Sequence, residues 1–424
     1  MKKIILILGI FIIIFASSCV KQDDKVHLSF STWGSKSEIA VVKQLINNFE
    51  QENPDIKVDL IHIPDNYFQK LHLLIASNLS PDVIFINNIN LRLYLEAGKF
   101  ENLSEYINSD ESISPSDFVD NAFLPFSYNG GIYAIPRDIS NLVIYYNKDL
   151  FDKYQVKYPD DNWNMQTFLS VAQKLTIDEN NDGKVDVFGF GFEKKSLFWL
   201  PFLWSNGGGI LSFDDEDIIL DKNASKNALQ FYADLRNKYH VSPNISEQAS
   251  MTTSQLFLQG KVAMHLCGRW CSMTYKNNAN FNWDVAKFPE GNNGSIVDLD
   301  ASGWAISSSS LHKAEAWKFI KFISSDNSMK LFTQDGLILP ARKEIANSDY
   351  FLNPPPNNAA VFIDVLKTAR PTPVCERYSE ILDILDENLE SLFDGKSSVD
   401  DIINKELILK LKKLSVKRGQ NAIK

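Results

Sequence analysis

From Val26 apolar and polar residues alternate, with Val26, Leu28 and Phe30 on one face, and the pattern breaks at Trp33-Gly34-Ser35, which predicts a strand running into a loop. From Ser37 onward Ile39, Val42, Leu45, Ile46 and Phe49 recur at helical spacing until Asn53-Pro54 ends the run. Ile56, Val58 and Leu60 predict a second strand, Tyr67 to Ala76 a second helix, and Asp82 to Ile86 a third, wholly apolar strand. Alternation of this kind predicts an α/β body with a largely parallel sheet. In such sheets ligands sit beyond the carboxyl ends of the strands, so the loops at 33–37, 64–66 and 87–90 should form one wall of a site.

A second α/β pattern begins at Leu142-Val143-Ile144-Tyr145-Tyr146-Asn147, passes the Asn206-Gly207-Gly208-Gly209 turn and reaches about Phe288. The segment from Gly303 to Gln334 holds a strand at Trp304 to Ile306 and a helix carrying Ala316, Trp317, Phe319, Ile320 and Ile323, and is expected to return to the first body. A terminal helix from about Glu376, with Ile381, Leu382, Leu385, Leu389, Leu392 and Phe393, should cover the second. A chain of 424 residues is too long for one small core, in keeping with two domains.

The amino terminus changes the picture of where this body works. Lys2 and Lys3 precede an apolar run from Ile4 to Phe15 that is too short for the roughly twenty residues of a membrane-spanning helix, the plan of a cleaved leader. Ala16-Ser17-Ser18-Cys19 resembles the lipobox of bacterial lipoproteins, which implies lipidation of Cys19 after removal of residues 1–18, with 19–25 as a tether. The alternative is a simple secretory leader, since Ala16 stands where a leucine is usual. Losing Lys2 and Lys3 takes the formal charge from −10 to −12, which argues against nucleic-acid binding. Cys267, Cys271 and Cys375 remain, an odd set that makes no disulfide framework. They read as buried small apolar side chains without His partners at metal spacing.

An ordered series of short motifs runs along the mature chain. It comprises Asn48-Phe49-Glu50 with Ile56-Lys57-Val58, Ser80-Pro81-Asp82-Val83, Gly131-Ile132-Tyr133-Ala134-Ile135-Pro136 and Tyr146-Asn147-Lys148-Asp149-Leu150-Phe151. Asn206-Gly207-Gly208-Gly209, then Phe257-Leu258-Gln259-Gly260-Lys261-Val262-Ala263-Met264 with Gly268-Arg269-Trp270, Ala316 to Ile323 and Leu339-Pro340-Ala341-Arg342 follow. Each piece is weak alone, but together they resemble the family 1 extracellular solute-binding proteins, the maltose-binding-like receptors of ABC importers.

That resemblance implies a two-lobed, periplasmic-binding-protein-like (type II) α/β fold, each lobe a mainly parallel sheet flanked by helices. It implies an N-lobe of 26–139 and 290–335, a C-lobe of 140–289 and 336–415, and a tail of 416–424. Hinge crossings are expected at Arg137 to Asn141, Lys287 to Gly291 and Asp335 to Arg342. The function implied is a monomeric, exported, lipid-anchored receptor that closes on a mono- or oligosaccharide, polyol or sugar phosphate and delivers it to ABC permease subunits.

Sugars offer a flat apolar face and a rim of hydroxyls, so tryptophans, carboxylates, amides and guanidinium groups are the side chains to look for. The candidates are Trp33 and Ser35, Asp65, Asn88, Asp138 beside Arg137, Trp199, Arg269 and Trp270, Ser302, Trp304 and Arg342; each also has a plain structural role open to it as core, cap or ion pair. No cofactor is required. Asp178, Asn180, Asp182 and Asp186, with Gly183 at position 6, follow EF-hand loop spacing for a structural Ca2+, but Gly189 stands where the bidentate acid belongs, and a polar turn fits as well.

Catalytic signatures are sparse. Neither a Gly-x-Ser-x-Gly elbow nor a His-Glu-x-x-His pair occurs, and Glu390 replaces the first glycine of a phosphate loop before Gly395-Lys396-Ser397. An exported glycoside hydrolase using paired acids and a non-transport adhesive lipoprotein are the rival readings.

Overall fold

In the computed structural model the strands predicted at the start of the chain form β1 (Val26–Thr32), β2 (Ile56–His62) and β3 (Val83–Asn87). Residues 25–213, 217–248, 251–333 and 338–415 are described; the leader 1–18, Cys19 and the tail 416–424 lie outside them. The helix Lys36–Glu52 buries Ile39, Val42, Leu45, Ile46 and Phe49 and begins at a Ser35/Glu38 capping box, so its start is written in the sequence.

The remaining strands are β4 (Ser127–Tyr128) and β5 (Gly131–Ile132), which pair as a small hairpin, then β6 (Ile135–Ser140), β7 (Leu142–Asn147), β8 (Phe188–Phe190), β9 (Val262–Gly268), β10 (Trp283–Ala286), β11 (Asp300–Ile306) and β12 (Leu339–Pro340). Two sheets result, one in the order β12-β6-β11-β3-β1-β2 and one in the order β10-β7-β9-β8. Their helices cover them in two lobes. Among the described residues no helix is long and apolar enough to cross a membrane.

Both sheets are mixed rather than mainly parallel. β11 is antiparallel to β3 and β6, β12 is antiparallel to β6, and β7 is antiparallel to β9 and β10. The physical reason is the crossing. β6 leaves the first sheet at its carboxyl end, passes through Asn141 and enters the second sheet as β7 from the side where β8 and β9 end. β11 makes the reverse passage and must run against β3.

Two boundaries move from those the sequence suggested. Residues 290–297 stay with the second lobe, where Glu290 exchanges backbone hydrogen bonds with Trp163 and Met165 and Ser205 binds Ile296. The second crossing is therefore at 298–300 rather than 287–291. β12 pairs with β6, and Ala341 with Arg137 and Val119, so 338–342 belongs to the first lobe. The chain regains the second lobe near Val361–Asp364, whose helix packs on β7. Both errors come from short segments without periodicity.

Candidate functional site

The carboxyl ends of β1, β3 and β6 and of β8 and β9 face one another around the crossing segments. Ser140 pairs with Asp300 and Leu142 with Gly268 on one continuous extended stretch. At about 3.3 Å per residue, the two sheet ends are joined across roughly 7 Å of backbone. Side chains projecting from these ends stand on either side of the crossing segments.

On the first lobe Trp33 follows β1, half-buried, with its ring against Phe85 at 4.2 Å and Tyr67 at 5.0 Å between centroids. Asp65 is exposed in the loop after β2. Beneath them the floor is polar and buried. The Asn88 amide donates to Asp300 Oδ1 at 2.8 Å and its carbonyl accepts from the Ala301 N–H. Thr372 donates its hydroxyl and its N–H to the same Asp300 carboxylate. Burial pushes the Asp300 carboxyl up, and the Asn88 and Thr372 hydrogen bonds oppose that. Asp298, fully buried, is pushed well above the usual carboxylate range by burial and then by the nearby Asp300 charge.

On the second lobe the strand β9 ends in a short turn that opens the helix Trp270–Asn278. Cys267 and Cys271 are joined by a disulfide across it. The Tyr145 hydroxyl donates to the Gly268 carbonyl at 2.9 Å and shares a hydrogen bond with Ser272. The Trp270 indole lies against Gly268, where a Cβ would come within 2.0 Å of ring atom Cζ3. Of the eight tryptophans Trp270 alone is exposed, at 45 %, whereas six are buried and Trp33 is intermediate. Leu197 and Phe198, half-buried on the helix that follows the β8 loop, stand at the same end of this sheet.

Several expected ligand contacts are corrected to structural roles. Trp199 is 0 % exposed and donates Nε1–H to the Lys194 carbonyl inside the second lobe. Trp304 is 2 % exposed, packed by Phe85 and Phe332. Both sit on regular elements whose inward face is core. The Arg269 guanidinium lies over the Phe351 and Phe362 rings and donates to the Phe351 carbonyl, and burial lowers its pKa. Arg342 pairs with Asp326 and Asp117, so it ties the first lobe's loops together. The Ser35 hydroxyl caps its helix, accepting from the Glu38 N–H. Asp138 is held by Arg137 and accepts from the Ser302 N–H, while burial raises its pKa. Asn88 and Ser302 therefore belong to the floor and its support rather than to an open rim. Trp33, Asp65 and Trp270 keep exposed surface at the strand ends.

In the loop of Asp178, Asn180, Asp182 and Asp186 the side-chain oxygens are turned to backbone. Asp178 accepts from the Asp182 and Gly183 N–H groups, Asn180 from the Asp182 N–H, Asp182 from the Lys184 N–H and Asp186 from the Glu179 N–H. These bonds fit the polar turn that the sequence also allowed. The one group of three His, Cys, Asp or Glu side chains with converging ligand atoms among the described residues is His265, Cys267 and Cys271, within 4.8 Å of one another. The reading of Cys267 and Cys271 as unlinked apolar side chains without a histidine neighbour is thus overturned, and their sulfurs are bonded to each other. Cys375 is buried. Asp298, Asp300 and Thr372 were missed; the acids alternating at 298 and 300 where an apolar strand begins were the available signal.

Residues 33–330 match the family described as bacterial extracellular solute-binding protein. A putative binding protein of Brucella abortus is 28% identical over 407 residues, covering 94% of this chain and 95% of its own. The galactooligosaccharide-binding protein of Bacillus subtilis is 21% identical over 392 residues, 90% of this chain and 88% of its own. The ABC substrate-binding protein of Listeria monocytogenes solved in complex with cycloalternan superposes with a TM-score of 0.81 at 28% identity, over 92% of this chain and 99% of that one.

Proposed function

The chain belongs to the bacterial extracellular solute-binding protein family, and from that membership we propose that it is a carbohydrate receptor for an ABC importer, closing its two lobes on an oligosaccharide without altering it. The observation that carries this reading is Trp270, an exposed indole on a fixed turn at the end of β9. Across the cleft stand the partly open Trp33 ring and the exposed Asp65. A pyranose lays its C–H face on an indole and its hydroxyls on carboxylate and amide groups, so these residues suit a neutral sugar. A relative named for galactooligosaccharide binding and a structural neighbour holding cycloalternan support an oligosaccharide rather than an ion or amino acid.

Contacts to both lobes exist only in the closed state, so ligand shifts the population toward it, and permease subunits read that shape. The anchor is a lipid on Cys19, which leaves the body at the outer surface of the membrane; a relative in Streptococcus pneumoniae is a solute-binding lipoprotein. The body acts as a monomer and performs no chemistry. Asp298 is fully buried and the Asp300 carboxylate is buried and occupied by Asn88 and Thr372, so neither acid of this pair is presented to a glycosidic bond.

Thermal melting of the body Val20 to Lys424 against neutral oligosaccharides, polyols and sugar phosphates tests the proposal. A ligand at 100 times its dissociation constant adds about 2.7 kcal/mol. A saturable upshift with a neutral oligosaccharide recovered intact is expected. Upshift by sugar phosphates alone, or recovery of cleaved glycan, would overturn it.

A further inference from the structure

The segment Cys267-Gly268-Arg269-Trp270-Cys271 is a strand-to-helix turn, the kind of connection that ordinarily moves more than the elements it joins. Here it is held from three sides. Tyr145 binds the Gly268 carbonyl, Arg269 is buried against Phe351 and Phe362, and the disulfide ties the end of β9 to the first turn of the helix. The first two restraints hold residues 268 and 269, and the Tyr145 hydroxyl also reaches Ser272. The disulfide is the covalent tie among them, joining the residue after Trp270 to the strand before it.

Closing a loop of five residues removes less unfolded-state entropy than closing a long one, so this bond's contribution to global stability is small for a disulfide. Its effect is local. It is also poorly suited to thiol chemistry. His265, whose ligand atom lies within 4.8 Å of both sulfurs, is pushed down to about 3 by burial, so at neutral pH it brings no positive charge to stabilise a thiolate.

We propose that the Cys267–Cys271 disulfide is a positioning device for the ligand site, holding the Trp270 indole flat on Gly268 with its outer face toward the cleft and thereby setting affinity for pyranose rings. The effect on affinity rests on the carbohydrate reading; the effect on Trp270 does not. A preorganised platform avoids the cost of immobilising a large side chain on binding.

The test compares the body Val20 to Lys424 with Cys267→Ser/Cys271→Ser, and with the alanine pair should the serine pair fail to fold. Time-resolved tryptophan anisotropy without ligand, with Trp270→Phe subtracted, isolates this ring. A new nanosecond motion and stronger acrylamide quenching of Trp270 are expected in the disulfide-free chain, with a cooperative melt retained. With maltotriose as probe, affinity should fall roughly two- to tenfold, and that fall should vanish when Trp270 is already alanine. Anisotropy and quenching unchanged in the disulfide-free chain overturn the proposal whatever the glycan result. An affinity loss that persists in the Trp270→Ala background also overturns it, because the disulfide would then act elsewhere. If Trp270→Ala leaves maltotriose binding intact while the mobility change is present, the carbohydrate platform fails and the positioning inference stands.

Discussion

Gly268→Ala is the sharpest perturbation of the site. A Cβ there would lie 2.0 Å from Cζ3, 2.3 Å from Cη2 and 2.5 Å from Cε3 of Trp270. Ordinary contact begins near 3.4 Å, so the indole must retreat by about 1.4 Å or swing into solvent. Trp270 is already 45 % exposed, so it has room to move, and the strand need not deform. Exposing a further quarter of a tryptophan's roughly 250 Å² at about 25 cal/mol per Å² costs about 1.5 kcal/mol of stability. The larger effect falls on binding. A displaced platform forfeits what a central aromatic anchor provides, about 2 kcal/mol or more, a weakening of roughly thirtyfold. Isothermal titration with the glycan giving the largest thermal shift measures it, and Gly268→Ala/Trp270→Ala is the control. Without the ring the methyl meets no clash, so the glycine change should add nothing to the Trp270→Ala loss. Parent-like affinity in Gly268→Ala, or equal losses in both backgrounds, would refute the reasoning.

Asp298→Asn should stabilise the protein at neutral pH. Because burial raises the carboxyl's pKa in the folded state, the native chain holds a proton the unfolded chain has released. Stability should therefore fall as pH rises from the ordinary carboxylate range, and the variant should lose that slope in urea melts at pH 5 and pH 8; an unchanged slope counts against it. Cys19→Ala should move the protein from the detergent phase to the aqueous phase of a Triton X-114 partition, and retention in detergent would remove the lipid anchor. Millimolar Ca2+ should leave the melting temperature unmoved, since the loop oxygens of Asp178, Asn180, Asp182 and Asp186 already accept from backbone N–H groups. A saturable upshift abolished by Asp182→Asn would show that the loop takes the ion.

Elements with strong period were legible in the sequence. The helix 36–52 shows its apolar stripe and its cap, and the helix 67–76 matches its predicted limits. The antiparallel strands were not, because direction within a sheet depends on the side from which the chain arrives, and a crossing at Asn141 leaves no periodic mark. Among site residues, a tryptophan reads alike whether it lines a cleft or fills a core. Trp199 lies within the helix Ser196–Ser205, apolar on every side and buried from Trp199 onward. Trp270 follows Gly268, and that glycine is what lets an indole lie against strand backbone. Arginines misled for a related reason. Arg342 has acids in reach only after folding brings residues 117 and 326 beside it.

The register of β7 on β9 joins platform and hinge. Leu142, the first residue past the crossing, is the pairing partner of Gly268. The segment about which the lobes move is therefore hydrogen-bonded to the strand end that carries Trp270. A sugar stacked on Trp270 alone would bind open and closed forms equally and shift neither population, however tightly it held. Closure needs contacts the open form lacks, and those come from the opposite wall at Trp33 and Asp65. Affinity and closure therefore lie on different lobes. Loss of the Asp65 carboxylate should weaken binding mainly through the closed population, whereas loss of Trp270 should weaken capture by either form. Small-angle scattering of Asp65→Ala at saturating glycan separates the two: a radius of gyration midway between the open and closed values is expected, and full closure would assign the closing contacts elsewhere.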